Sequence, residues 1–190
     1  AVLSLMELRS GRPIQRVGLS ATIGNPDDIL SWMNPAERPA QVVRADPEPL
    51  PREFIFLTDW DESGMTRLLS LLRGKRSLIF SRSRSEAELL SGRLEGSGLP
   101  VFVHHSSLAS SARKEAEGVF AHSSEGTIIC TSTLELGIDL GSLDLVVQSG
   151  PLMSISSFLQ RLGRVGRRGN PASMAFLLHG SMETVLVAAA

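Results

Sequence analysis

The feature that most restricts the fold is a series of short runs that are apolar from end to end, such as Leu78-Ile79-Phe80, Ile128-Ile129-Cys130 and Leu145-Val146-Val147. A strand with one face in water alternates polar and apolar residues, so a strand without alternation must be covered on both faces. Between the strand runs lie helical stretches: Glu62 to Leu72 has leucines at helical spacing, and Ser85 to Glu95 ends at Gly96. Strand and helix in regular alternation define a doubly wound α/β domain: a parallel sheet with helices on both faces. Strands are expected at 53–57, 77–80, 100–103, 127–131, 143–147 and 172–178, and helices at 62–72, 85–95, 110–120 and 155–162.

The front of the chain does not join this pattern. Five of the ten prolines lie between Pro35 and Pro51, a density that strips backbone donors and favours extended chain. Residues 36–52 therefore read as a linker, and 53–190 as the α/β domain. Residues 1–35 read as a fragment of something else. Within that fragment Gln15 to Leu19 is a short β-branched run. Asn25-Pro26-Asp27-Asp28 carries the cap, proline and first-turn acids of a helix start.

In a doubly wound sheet, ligands bind outside the carboxyl ends of the strands. The residues placed there are Ser81-Arg82-Ser83-Arg84, His104-His105-Ser106-Ser107, Thr131-Ser132-Thr133 and Ser149-Gly150. Hydroxyls, imidazoles and guanidinium groups on one rim suit a phosphodiester backbone. Ser85 and Ser110 fit better as helix caps. A second basic feature is Gln160-Arg161-Leu162-Gly163-Arg164-Val165-Gly166-Arg167-Arg168, in a stretch from Leu145 to Met182 that contains no Asp or Glu. Arginines three apart can share one helix face, and the planar guanidinium fork matches phosphate oxygens. The competing reading is a solvated basic face.

Other classes are excluded or weakened. One cysteine, Cys130, forbids an internal disulfide or a thiolate metal cluster and reads as a small buried hydrophobe. No apolar run approaches the ~18 residues of a membrane span, and the N-terminus lacks the features of a signal peptide. A cytoplasmic location without a membrane partner is the expectation. Net charge is −1, so nucleic-acid binding must come from a local patch. Asp61-Glu62 resembles a metal-binding acidic pair but suits a helix N-terminus better. Gly74-Lys75 lacks the remainder of a phosphate-binding loop, and the glycines 163, 166 and 169 lack the G-x-G turn of a dinucleotide site. His104 and His105 diverge on a strand and cannot share a metal, so none is expected.

Taken in order, four segments resemble the C-terminal half of a superfamily 2 helicase motor, over nearly the whole chain. Ser20-Ala21-Thr22 resembles motif III, Leu78 to Arg82 motif IV, Thr131 to Asp139 motif V, and Gln160 to Arg167 motif VI. Gly18 to Pro26, Leu134 to Gly141 and His104 to Leu108 are similar to the large helicase-related (Lhr) group. The chain departs from that group at Ser106, where glycine is usual, and at Arg167, where histidine commonly ends the motif.

The resemblance implies the second RecA-like domain of an ATP-driven translocase acting on single-stranded nucleic acid, with DNA the first expectation and a role in DNA repair attached to it. An RNA helicase domain and a non-catalytic nucleic-acid-binding module are the alternatives. It further implies that Arg164 and Arg167 act as fingers on the γ-phosphate and that Gln160 orients the phosphate or water. Gly137 and Asp139 would lie at the nucleotide. Ser81, Arg82, His105, Thr131 and Ser132 would line the nucleic-acid track, and Ser20, Ala21 and Thr22 would couple ATP state to closure. ATP and Mg2+ would be held mainly by a first RecA-like domain, whose Walker motifs would precede Val17. The 190-residue chain by itself is therefore expected not to hydrolyse ATP.

Overall fold

The computed structural model describes residues 2–20, 24–34, 38–44, 51–134, 140–152, 154–166 and 172–178. The chain divides into two compact units, Ala1–Glu48 and Pro49–Ala190.

The first unit contains helices α1 (Val2–Ser10) and α2 (Pro26–Met33), neither of which buries a residue. Its order comes from a polar hub instead. The Glu7 carboxylate accepts the Ile14 amide at 2.8 Å and pairs with Arg16 and Arg38, each at 2.8 Å. The Ile14 hydrogen bond, followed by that from Arg38, lowers the Glu7 pKa to about 2. Asn25 occupies the cap position of α2, but its side chain donates to Asp28 Oδ2 at 3.2 Å and accepts no helix amide. Leu5, Leu8, Val17, Leu19 and Trp32 are all exposed. An unburied apolar surface of this kind ordinarily meets another body.

The second unit is a six-stranded, all-parallel sheet in the order β1-β6-β5-β2-β4-β3. Its strands are β1 (Arg52–Leu57), β2 (Arg76–Phe80), β3 (Val101–His104), β4 (Gly126–Cys130), β5 (Leu145–Ser149) and β6 (Ala172–Leu177). Helices α3 (Glu62–Leu72), α4 (Arg84–Leu94), α5 (Ser110–His122) and α6 (Ile155–Leu162) connect them. On one face Leu68, Leu72, Ala87, Leu90 and Leu94 from α3 and α4 pack on Ile79, Ile129, Val147 and Leu177. On the other, Phe120 and Leu162 from α5 and α6 cover Leu78, Phe80, Ile128, Val146 and Phe176. The continuous apolar runs are therefore β2, β4 and β5, buried at every position of β4 and β5. Cys130 is buried with them.

Strand ends differ from the sequence expectation by one or two residues, and Leu143 lies ahead of β5 in an isolated bridge to Val165. Two caps also differ. Ser83, not Ser85, caps α4 by accepting the Glu86 amide at 3.1 Å, because Ser-x-x-Glu is the sequence that satisfies two amides at once. Ala109 holds the cap position of α5 without a side-chain bond, so Ser110 is its first helical residue. Asp61 caps α3 through the Gly64 amide, as expected of an acid at a helix start.

Candidate nucleic-acid and nucleotide interfaces

The chain leaves β2 on one side of the sheet and β5 on the other, so the loops after these neighbouring strands diverge and open a crevice at their carboxyl ends. Ser81-Arg82 lies on one lip and Ser149-Gly150 on the other. A single carboxylate joins the lips. Glu86, on the first turn of α4, accepts the Arg82 amide at 2.7 Å, the Arg82 Nε–H at 3.3 Å and the Ser149 hydroxyl at 2.7 Å. Burial alone would raise its pKa. The bonds from Ser149 and from the Arg82 amide and guanidinium, with that cation's charge, outweigh burial and hold it below the ordinary carboxylate value.

Gly150 has a φ of +73°, and a Cβ there would stand 2.7 Å from Arg82 Cδ. The arginine stem thus occupies the space that a side chain would need. Ser149-Gly150 was placed on this rim by the sequence, whereas Glu86 was missed; the Ser83-x-x-Glu86 spacing was the signal available for it.

The other rim residues are distributed unequally. Arg82 is 55% exposed, Ser132 is exposed and Thr131 half-buried. Ser81 is buried, its hydroxyl donating within 3.1 Å of the carbonyls of Ser83 and Cys130. His105 is buried too, with Nε2 2.9 Å from Glu88 and Nδ1 without a hydrogen-bond partner. His104 turns the other way, to Glu117 and Thr133. Among the described residues no group of acids, histidines and cysteine could hold a metal.

The described part of the arginine segment, residues 160–166, runs toward the opposite end of the sheet. Helix α6 returns from the rim and stops at Leu162, with Gly163 as its cap. Val165, nearly fully buried, bridges Leu143 ahead of β5, which fixes this turn beside the amino ends of the strands. The helix is ~12 Å long, so the rim residues and Arg164 do not converge. Nor do Arg161 and Arg164 share one helix face. Arg161 points into the protein, bonded to Gln148 and stacked over Phe80 at 4.4 Å, while Arg164 falls past the helix end, half-buried. Gly166, at φ +74°, lets the chain turn against Ala172, whose Cβ would be 2.7 Å from any side chain there. Gln160 is half-buried and donates to Ser156 at 3.3 Å. Ser20 is exposed. Ala21, Thr22, Gly137, Asp139 and Arg167 lie outside the described residues.

A six-stranded parallel sheet with a crevice at its switch point and a basic turn at its other end defines the C-terminal lobe of a RecA-like motor. Residues 63–169 match the helicase conserved C-terminal domain. The ATP-dependent helicase Lhr-Core of Methanocaldococcus jannaschii is 32% identical over 188 residues, covering 93% of this chain and 22% of that protein. The Lhr helicase/uracil glycosylase of Escherichia coli is 28% identical, covering 81% of this chain and 14% of that protein. The structure of the Mycobacterium smegmatis helicase Lhr bound to ssDNA and AMP-PNP superposes with a TM-score of 0.79 at 28% identity, over 98% of this chain and 27% of that one. The chain belongs to the helicase conserved C-terminal domain family, as the C-terminal half of an Lhr-like superfamily 2 motor. It spans between 14% and 27% of the length of these three relatives.

Proposed function

We propose that this chain is the second motor domain of an ATP-dependent DNA helicase, binding single-stranded DNA at the carboxyl-end rim and completing an ATP site at the arginine turn. The observation that carries the reading is the separation of the two groups to opposite ends of one sheet. That arrangement lets one rigid body contact a polynucleotide and a triphosphate at once. The likeness to an Lhr bound to both kinds of ligand supports it.

On this reading Arg82, Thr131 and Ser132 meet the phosphodiester backbone from the surface. Ser81 and His105 form the floor, where Nδ1 of His105 is left for a ligand. Arg164 and Arg167 place guanidinium groups on the γ-phosphate, where charge spreads over the phosphoryl oxygens in the transition state. Such fingers are worth ~10³ to 10⁵ in rate, about 4 to 7 kcal/mol. Gln160 orients the phosphate or the attacking water, and Gly137 and Asp139 lie against the nucleotide. ATP and Mg2+ are held mainly by a first RecA-like domain, of which residues 1–35 are the end and 36–52 the connection. The exposed apolar residues of the first unit are the surface that would rejoin that domain. Ser20, Ala21 and Thr22 then couple nucleotide state to closure.

The test is ATP turnover and strand separation by the full-length protein on matched DNA and RNA duplexes with single-stranded tails, beside the isolated 190-residue chain. DNA-stimulated turnover with DNA unwinding by the former, and none by the latter, is expected. Preference for the RNA duplex would make it an RNA helicase. Binding without turnover in the full-length protein would make the domain a passive nucleic-acid module.

A further inference from the structure

The geometry points to Glu117, His104 and Thr133 as a positioning relay that sets the loop carrying Thr131 and Ser132 in its strand-binding shape. This inference rests on the proposed nucleic-acid track. His104 ends β3 and is 2% exposed. One ring nitrogen, Nε2, lies 2.7 Å from the Glu117 carboxylate on α5; the other, Nδ1, lies 3.0 Å from the Thr133 hydroxyl. With Nε2 donating to the carboxylate, Nδ1 accepts the threonine proton, and every polar atom of the ring is used.

The backbone of the same residue reinforces the grip. The His104 carbonyl accepts the Thr131 amide at 3.4 Å and lies 3.2 Å from the Thr133 hydroxyl, whose single proton it shares with Nδ1. Thus one buried imidazole and its own carbonyl hold Thr131, the residue that follows β4, and Thr133, the middle residue of the short 3₁₀ turn Ser132–Leu134. Thr131 is the first of these anchored residues, and Ser132 lies between the two. A buried polar chain of this kind is rigid when complete and costly when one member is removed. Neither proposed ligand contact includes His104, Glu117 or Thr133. They act through the loop.

The experiment uses the full-length protein and measures the single-stranded DNA concentration giving half-maximal ATPase stimulation, kcat at saturating DNA, KM for ATP, and the melting temperature. Thr133→Val keeps the shape and deletes the hydroxyl, whereas Thr133→Ser keeps the hydroxyl. The valine variant should need about 5-fold more DNA, from one lost hydrogen bond, with kcat and KM for ATP within 2-fold (about 0.4 kcal/mol). The serine variant should stay near wild type. Glu117→Gln should weaken DNA in the same manner, and its combination with Thr133→Val should cost less than the two losses multiplied together. Should the valine variant fail to fold, Glu117→Gln carries the expectation, since that carboxylate is 25% exposed and the change is isosteric. Equal defects in valine and serine variants, multiplicative losses, or a defect confined to kcat would overturn the relay. Wild-type protein without any response to DNA would instead remove the underlying track, and the inference with it.

Discussion

The two ends of the sheet are organised by different means. At the carboxyl end, polar side chains are closed on one another: Glu86 joins Arg82 to Ser149, His105 meets Glu88, and His104 links Glu117 to Thr133. At the amino end, the stretch from Leu145 to Met182 supplies no carboxylate, and the turn bearing Arg164 is shaped by the backbone. The Leu143–Val165 bridge and the amides of Arg164 and Val165, at 3.0 and 3.2 Å from the Arg161 and Leu162 carbonyls, hold it. A rim wired by side chains can rearrange when a ligand competes for them. A turn held by main-chain bonds keeps the backbone that carries Arg164 at a fixed place.

The largest expected effect tests whether these ends do separate work. Arg164→Ala in the full-length protein should lower kcat for ATP by about 10³ while leaving single-stranded DNA affinity within a few-fold. An equal loss of affinity would show that one site, not two, is being perturbed.

A smaller effect concerns the helix that ties the ends together. Arg161→Met should cost about 1–3 kcal/mol in denaturant unfolding, because the buried Gln148 carbonyl loses its guanidinium donor. Stability unchanged by that substitution would mean that Arg161 belongs with Arg164 as a ligand group, not with the core.

The smallest effect reads the rim through pH. The Glu86 pKa is lowered in the folded state from an ordinary 4.5. Its stabilisation is therefore present above about pH 4.5 and is lost as pH falls through the lower folded value. Glu86→Gln should be less stable than wild type near neutrality, and the two curves should converge on acidification. Parallel curves would show that Glu86 does not join the lips of the crevice.

Much of the architecture was legible because burial on both faces leaves an unmistakable pattern. β4 and β5 are buried at every position around their apolar runs, and α3 and α6 span the residues expected of them. Helix α1 was not legible: Val2–Ser10 has apolar residues on all sides and no buried face to set a period. The capping residue of α4 was misplaced by two positions because Ser83 and Ser85 are chemically alike and only the partner at Glu86 distinguishes them. Rim membership could be read from strand ends alone. What could not be read was which rim residues face inward, since Ser81, His104 and His105 resemble surface groups in sequence and are buried by partners distant along the chain. The loss of a shared helical face by Arg161 and Arg164 likewise depends on Gln148 and Phe80, which draw Arg161 into the core.

The Glu86–Arg82 pair has a thermodynamic corollary. A phosphate binding at Arg82, as proposed, would meet not a bare cation but one already engaged by a carboxylate, so that contact would exchange one anion for another. On the proposed function, strand affinity at Arg82 would measure the difference between these two ion pairs.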